Sequence, residues 1–381
     1  EGDPVSTDQG PLTTAGVYET VEACAKAINW ENTWHKPGMK RLPDGRLHGI
    51  GIAHAMGRAT LPSFVTSGNA YVQVKKDGSV RVFAGVTDIG QGQATGLVQI
   101  TAEALGVPFE SVGITWGDTA APHTGDQVAS STTMMTGNAV KLAADDAREQ
   151  ILEIASKVMK AAAEDLFIEN GIISIKETAK SAQPEEAPKK MTLSQVVEVP
   201  GVKGIQGRGN WSITDAQASP RSLVVCAVEV AVDTETGNIQ ILNMVQGTDC
   251  GRAISKSRVS GQMDAVLSGG LGYILYEDWA VDRNMNGRIM NLNFYDYKMP
   301  TFSDFGEVLQ PNIIIECPDR VGPFGARGMG EATLSASAPA VLNAVYNALG
   351  IRFDSTPLSQ GRVLKELARA NIYNDKEEMS Q

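Results

Sequence analysis

A β-hairpin pattern that runs into a T-D-x-G motif and then into a helical segment occurs twice in this chain of 381 residues. In the first copy the hairpin turns at Gly78 and the motif ends 12 residues later, at Gly90. In the second copy the turn lies at Gly237 and the motif ends 14 residues later, at Gly251. Two related α/β halves that face one ligand would produce this pattern. A chance match of four residues would produce it as well.

The order of the predicted elements indicates an α/β protein of mixed α+β type, with hairpins and mixed sheets. We expect a first subdomain at 1–215, which includes a lead segment at 1–45, and a second subdomain at 216–381. An Ala-, Lys- and Glu-rich pattern predicts that the longest helix covers 139–166. A strand is predicted at 291–294.

Composition argues against several kinds of partner and site. The net charge of −11 leaves no Lys/Arg stripe for nucleic acid or an anionic membrane, and no apolar run reaches the ~18 residues that a membrane span needs. The four cysteines are far apart and the four histidines lack helical ligand spacing, so we expect no zinc or iron–sulfur site from this chain alone. Free thiols indicate a reducing compartment. The polar, acidic N-terminus is not a signal peptide and reads like the interior of a longer polypeptide.

The segment 322–332, G-P-F-G-A-R-G-M-G-E-A, places three glycines within six residues, directly before a helical pattern. Glycines at this density let the backbone approach a ligand closely, and a helix start offers unpaired N–H groups to an anion. Gly328 and Gly330 are therefore candidate ligand contacts. The acid that follows them, Glu331, is a candidate for proton chemistry. At a helix start, it can also simply complement the helix dipole.

Two polar segments and one glutamine are further candidates for ligand binding. G-Q-G-Q-A-T-G at 90–96 precedes a helix, and its backbone N–H groups and amides suit an anionic cofactor, although a plain turn is the alternative. Its glycine spacing does not match a Rossmann dinucleotide site. The S-S-T-T run lies in a polar loop predicted at 117–136, where it can hold phosphate or pterin atoms or be merely solvated. The candidates are Gly90, Gln91, Gly92, Gln93, Ala94, Thr95, Ser130, Ser131, Thr132, Thr133 and Gln262.

Together these motifs closely resemble the xanthine dehydrogenase family of molybdenum hydroxylases. The resemblance covers roughly 45–351 in the family's order. It is carried by G-P-F-G-A-R-G-M-G-E-A, T-D-I-G-Q-G-Q-A-T, S-S-T-T after W-G-D-T, V-E-V-A-V-D-T-E-T-G, and D-C-G-R-A-I with G-Q-M-D-A. The similarity is to the C-terminal portion of the molybdopterin-binding subunit, without the F-G-G-K-like loop of its N-terminal portion. The chain therefore resembles the second polypeptide of split-subunit members, similar to the medium molybdopterin subunit of nicotinate dehydrogenase.

The resemblance implies the molybdopterin-binding domain fold of aldehyde oxidase and xanthine dehydrogenase, and a cytoplasmic enzyme active only with partner subunits. Molybdenum would be held by the dithiolene of a molybdopterin, expected as the cytosine dinucleotide, with no direct protein ligand. A second molybdopterin subunit would complete the cofactor cage, and partner chains would carry [2Fe–2S] clusters and FAD. Glu331 aligns with the family's catalytic base, while 90–95, 130–133 and Gln262 would contact the pterin or its nucleotide.

The implied reaction inserts water-derived oxygen at an electron-poor carbon of an N-heteroaromatic small molecule, nicotinate- or purine-like. An aldehyde-oxidising, CO-oxidising or reductive member, similar to hydroxybenzoyl-CoA reductase, is the alternative within the family. Outside it, a non-catalytic scaffold or a nucleotide-binding protein without metal are alternatives; the intact Glu331 counts against a scaffold. Expressed alone, the chain is expected to expose a large apolar surface.

Overall fold

The computed structural model describes residues 11–60, 67–179, 187–213, 218–304, 308 and 311–370, and it has a mixed α/β architecture. Its strands are β1 Leu47–Arg58, β2 Gly68–Val74, β3 Val80–Phe83, β4 Val112–Thr115, β5 Leu166–Glu169, β6 Ile172–Ile175, β7 Lys190–Thr192, β8 Ile205–Trp211, β9 Arg221–Val232, β10 Ile239–Asp249, β11 Val281–Asp282, β12 Arg288–Ile289 and β13 Ile313–Ile315. Its helices are α1 Val17–Ala27, α2 Trp30–Thr33, α3 Gln93–Leu105, α4 Thr132–Met159, α5 Leu193–Val197, α6 Lys256–Asp264, α7 Ala332–Ser335, α8 Ser337–Leu349 and α9 Gln360–Arg369. Within these ranges no helix is both long and apolar enough to cross a membrane.

Two four-stranded sheets share one topology. The first has the order β8–β2–β3–β4 and the second has the order β1–β9–β10–β13. In each sheet the first two neighbouring pairs are antiparallel and the third pair is parallel. In each, a hairpin forms the two central strands, a T-D-x-G motif ends or follows its second strand, and a helix follows the motif. The repeated sequence pattern therefore corresponds to a repeated fold, which supports duplication over chance.

Strand β1 belongs to the second sheet, although it precedes the whole first sheet along the chain. It pairs with β9 over its full length, from Leu47 opposite Val232 to Arg58 opposite Arg221. The outer strand of the first sheet, β8, instead follows all of that sheet's other strands. The predicted boundary between 215 and 216 falls between β8 and β9, and β1, which precedes that boundary in the chain, pairs in the sheet of β9.

Alternating glycines in each outer strand let an alanine-rich helix lie directly on that strand. Gly209 in β8 lies so close to α4 that a Cβ atom would come within 1.9 Å of the Ala139 carbonyl oxygen. Gly51 in β1 lies against α8, where a Cβ would come within 2.3 Å of the Ala340 carbonyl oxygen. The same close approach holds for Gly207 under Ala143 and Ala147, and for Gly49 under Ala344 and Ala348.

Replacing Gly209 tests this packing. A Gly209→Ala substitution forces a methyl group into the backbone of α4, and we expect it to lower the free energy of unfolding by about 3 kcal/mol. Gly361→Ala in α9 is the matched control, because no atom lies within 4 Å of its Cβ position, and alanine there should be neutral or stabilise by up to about 1 kcal/mol. Urea unfolding measures both, and equal midpoints for the two variants would contradict the packing.

The predicted bounds of one helix and the prediction of one strand were wrong. Helix α4 covers Thr132–Met159 rather than 139–166, because the last part of the polar loop already forms its first turn and Lys160 adopts a left-handed conformation that ends it. The predicted strand at 291–294 is instead a turn, in which the Asn293 side chain accepts a hydrogen bond from the Tyr295 N–H at 2.9 Å.

Candidate functional site

A cleft of about 450 Å³ lies where the loops of the two sheets meet. Four separate stretches line it: the loop between β3 and α3, the start of α4, the segment from the end of β10 through α6, and the loop before α7. The candidate residues that line the cleft are Gln91, Gly92, Gln93, Ser130, Thr132, Thr133, Gln262, Gly328, Gly330 and Glu331. Gly90, Ala94, Thr95 and Ser131 are not among the lining residues.

Asp88 organises the glycine loop before α3. Its carboxylate accepts hydrogen bonds from the N–H groups of Gly90 at 3.0 Å and of Gly92 and Ala94 at 3.1 Å. Burial acts to raise the pKa of Asp88, but these three N–H donors outweigh it and hold the pKa below its ordinary value. Asp88 therefore already binds three of the N–H groups that were predicted to contact an anion, and the contact of this loop with a cofactor stays a prediction. The side chain of Gln91 faces the cleft from this loop.

The S-S-T-T loop and the loop that bears Glu331 are locked together. The Glu331 N–H donates to the Ser130 hydroxyl oxygen at 3.0 Å, and Ser130 itself has a left-handed backbone, with φ 53°. A Cβ atom on Gly328 would lie 1.7 Å from the Ser130 carbonyl oxygen. Ser131 is buried, and its hydroxyl donates to the Val128 carbonyl at 2.6 Å, so it shapes the loop instead of facing the cleft.

A Gly328→Ala substitution should separate these two loops. The added methyl group cannot coexist with the Ser130 carbonyl, so we expect about 2–3 kcal/mol of lost stability, measured by urea unfolding. Gly330→Ala, two residues along the same loop, is the control. Its Cβ would meet the Gln262 amide oxygen at 3.4 Å and the Ser130 hydroxyl at 3.7 Å, so it should unfold close to the parent. Equal losses in both variants would contradict this close approach.

Glu331 lies immediately before α7, with its side chain open to the cleft. It is the one carboxylate among the residues that line the cleft in the described part of the chain. Two hydrogen bonds hold the loop just before Glu331. The Ser222 hydroxyl donates to the Gly328 carbonyl at 2.7 Å, and the Thr333 hydroxyl donates to the Gly330 carbonyl at 3.1 Å. The backbone around the carboxylate is thus held in place while the carboxylate remains exposed.

Beneath this loop, Arg327 forms a fully buried ionic network with both aspartates that flank it. Its guanidinium lies 2.6 Å from the Asp249 carboxylate and 3.4 Å from the Asp319 carboxylate. It also donates to the Thr14 carbonyl at 3.1 Å. Asp249 belongs to the second T-D-x-G motif, and its other oxygen accepts the Gly251 N–H at 2.9 Å. The network therefore joins the Glu331 loop, the second motif and the N-terminal segment.

Besides Arg327, two further arginines line the cleft, Arg252 and Arg258, and sequence reasoning missed both as site residues. Within the ranges that the structure describes, neither guanidinium forms an ion pair. Arg258 packs against Gly92, where a Cβ would lie 2.7 Å from the arginine Cδ. It precedes Gln262 by one helical turn in α6, so the i,i+4 spacing was a signal that could have identified it.

Cys250 also lines the cleft. Burial raises the pKa of its thiol to about 12, so the thiol is protonated at neutral pH. Among the described residues, no group of three or more His, Cys, Asp or Glu side chains could hold a metal ion.

The chain matches the family model of the molybdopterin cofactor-binding domain over residues 23–306. It is 28% identical over 352 residues to the gamma subunit of the 6-hydroxypseudooxynicotine dehydrogenase complex of Paenarthrobacter nicotinovorans, covering 89% of this chain and 42% of that protein. It is 26% identical over 374 residues to a putative xanthine dehydrogenase molybdenum-binding subunit of Escherichia coli. That match covers 96% of this chain and 48% of the Escherichia coli protein. The chain thus spans about half the length of these curated relatives.

The fold is also that of a solved oxidoreductase. The structure superposes on quinoline 2-oxidoreductase of Pseudomonas putida with a TM-score of 0.81 at 24% identity, over 93% of this chain and 46% of that one. This likeness confirms the predicted mixed α/β fold class. The family match covers most of the chain, from the helix before β1 to the segment after β12. The chain belongs to the molybdopterin cofactor-binding domain family of the xanthine dehydrogenase group of molybdenum hydroxylases.

Proposed function

We propose that this chain forms part of the cage of a molybdopterin cofactor and supplies the catalytic base of a hydroxylase that acts on an N-heteroaromatic substrate. The observation that carries this proposal is the convergence of four distant sequence segments on one cleft with a single carboxylate among its described lining residues. Both curated relatives described above are dehydrogenase subunits, one named for xanthine and the other for 6-hydroxypseudooxynicotine, and both compounds contain a nitrogen heterocycle.

The donor set of the cleft suits a pterin that carries phosphate. The amides of Gln91 and Gln262 can pair with pterin nitrogen and oxygen atoms. So can the hydroxyls of the lining residues Ser130, Thr132 and Thr133.

Neither Arg252 nor Arg258 forms an ion pair in the described part of the chain. Arg258 does act electrostatically on Asp88, and Arg252 on Glu316. A guanidinium in the lining of a cleft is well suited to bind phosphate. We propose the cytosine dinucleotide form, whose extra phosphate these two charges would neutralise. When bound, the cofactor supplies the two-electron redox chemistry, and the protein supplies placement.

Glu331 is suited to accept a proton. Its own N–H is held by Ser130, so the loop positions the carboxylate without occupying it. No ion pair to Glu331 occurs among the described residues, which leaves both carboxylate oxygens free to act. We propose that a Glu331 oxygen takes a proton from the water that provides the inserted oxygen, as a general base.

The partners are also part of the proposal. Because the chain spans about half the length of its curated relatives, we propose that a second molybdopterin polypeptide provides the rest of the cage. One relative is named as a subunit of a dehydrogenase complex, and we propose [2Fe–2S] and FAD partner chains as the route for electrons. Among the described residues no cysteine forms a disulfide, and three of the four cysteines are buried, which supports a cytoplasmic location.

Cofactor retention tests the proposal. We expect Arg258→Ser and Gln262→Leu, each introduced into the native complex, to reduce bound molybdenum and pterin by about tenfold or more. Arg369→Ser is the control, because Arg369 lies at the exposed end of α9 and pairs only with Glu366 among the described residues. Full cofactor content in both cleft variants would contradict the placement of the cofactor in this cleft.

Substrate assays separate the alternatives within the family. The purified complex is expected to hydroxylate nicotinate- or purine-like compounds in preference to aldehydes, carbon monoxide or aromatic acyl-CoA esters. A preference for any of the latter three would assign the chain to the corresponding alternative. A complex that holds cofactor and turns over none of these compounds would support the scaffold alternative.

A further inference from the structure

The segment 279–302 has its apolar side chains on the outside. Nine of its large apolar residues are exposed: Trp279, Val281, Met285, Met290, Leu292, Phe294, Tyr295, Met299 and Phe302. Four aromatic rings are among the most exposed, at 68% for Trp279, 82% for both Phe294 and Tyr295, and 100% for Phe302. Monomeric proteins rarely leave so many large apolar groups in contact with water, and such surfaces mark binding sites. We call 279–302 the apolar arm.

The arm is an ordered structure, because its polar groups are used to hold its own backbone. Strands β11 and β12 form a short hairpin, and the Met290 N–H donates to the Ala280 carbonyl at 2.8 Å. The Asn291 side chain donates to the Asp278 carbonyl at 2.6 Å, and the Tyr297 hydroxyl donates to Glu277 at 2.6 Å. A segment that satisfies its polar groups internally and exposes its apolar ones is built to be covered by another surface.

The exposed area approaches that of a stable interface. At about 200 Å² for each aromatic side chain, the four most exposed rings alone present roughly 600 Å². One partner in a standard protein–protein interface contributes about 800 Å². The arm's charged residues are mixed in sign, with Asp282, Asp296, Arg283, Arg288 and Lys298, so the surface favours an apolar partner over a strongly charged one.

The arm is connected to the cleft-lining helix α6 along the chain. It follows α6, which bears Gln262, through a helical segment that extends to Tyr276. Within that segment the Tyr273 hydroxyl donates to the Leu334 carbonyl at 2.8 Å, on α7 directly after Glu331. A protein docked on the arm is therefore joined to both elements that bring Gln262 and Glu331 to the cleft.

We infer that the apolar arm is the docking surface for the polypeptide that corresponds to the half of the curated relatives that this chain does not match. Those relatives are about twice as long as the matched region, so a second body of comparable size accompanies the fold in them. The identification of this partner rests on the proposed function, in which a second molybdopterin polypeptide completes the cage. A partner held on the arm would close the cleft beside Glu331 and couple assembly to cofactor retention.

Site-specific photocrosslinking in the native complex tests the inference. A benzophenone amino acid placed at Phe294 or Phe302 should crosslink to a polypeptide whose sequence matches the remaining half of the relatives. The same probe at Tyr18 or Ile172, which are exposed but lie far outside the arm in sequence, is the control and should give no such product. Crosslinks from the arm only to a second copy of this chain, or to an iron–sulfur or FAD subunit, would overturn the assignment.

A triple variant gives the second measurement. Phe294→Ser, Tyr295→Ser and Phe302→Ser together should weaken retention of that polypeptide by about 100-fold or more, since buried aromatic anchors dominate interface energies. These side chains are exposed in the isolated chain, so its thermal unfolding should be unchanged, whereas Tyr18→Ser should change neither property. Undiminished retention by the folded triple variant would overturn the inference.

Pterin content is measured in parallel and separates the two proposals. If the partner docks through the arm but the complex holds no pterin, only the proposed function is refuted. If the complex holds pterin but the partner does not dock through the arm, only the inference is refuted.

Discussion

A Glu331→Gln variant is expected to assemble and to retain its cofactor but to lose turnover by about 10²–10⁴-fold. The amide has nearly the shape of the carboxylate. On the Glu331 side, the hydrogen bond to the Ser130 hydroxyl uses only the backbone N–H, which the substitution keeps. The loop should therefore keep its conformation while losing the group that accepts the proton. The measurement is steady-state turnover of the purified complex, divided by its molybdenum content.

Glu110→Gln is the matched control, because Glu110 is also exposed but does not line the cleft. It should leave both turnover and cofactor content unchanged. If Glu331→Gln retains turnover within a few-fold of the parent, Glu331 is not the base. If it loses cofactor in proportion to turnover, the side chain has a structural role instead.

An Arg327→Met variant is expected to lose about 3–5 kcal/mol of stability, the largest loss predicted for a single side chain here. The substitution removes the one cation that contacts both Asp249 and Asp319 among the described residues and leaves two carboxylates fully buried. The methionine side chain fills much of the arginine volume, so the loss reports uncompensated charge more than an empty cavity. Urea unfolding of the purified complex measures the effect.

The control for this prediction is Arg369→Met, which breaks an exposed ion pair with Glu366. Exposed pairs contribute about 0–1 kcal/mol, so this variant should unfold close to the parent. Because Arg327 lies between Ala326 and Gly328 in the lining of the cleft, its replacement should also lower cofactor content. Similar unfolding midpoints for the two arginine variants would contradict the account of the buried network.

The repeat of the fold was predictable from sequence because a local interaction marks each copy. In both T-D-x-G motifs the aspartate accepts the N–H of the glycine two residues later, at 3.0 Å for Asp88 and 2.9 Å for Asp249. Such a turn depends only on neighbouring residues. The pairing of β1 was not predictable, because Gly49 and Gly51 offer the same flat surface to either alanine-rich helix. That choice is made by tertiary packing between residues almost 300 positions apart.

Only some of the predicted site residues lie together in one cleft. Gln262 and Glu331 were predicted from motifs and do line one cleft. Arg258 was missed because an arginine on a helix ordinarily indicates a solvated face. The occupation of the glycine-loop N–H groups by Asp88 could not be read from sequence, because an aspartate before glycine predicts a turn without saying how many N–H groups it will bind.

The most direct test of the central claim is an anomalous-scattering map of the native complex, recorded at the molybdenum absorption edge. We predict one peak inside the cleft, next to the Glu331 carboxylate, with pterin density within hydrogen-bond reach of Gln91 and Gln262. A complex that contains molybdenum but shows its peak away from this cleft would contradict the account. So would an intact complex that shows the cleft filled by another ligand and contains no molybdenum.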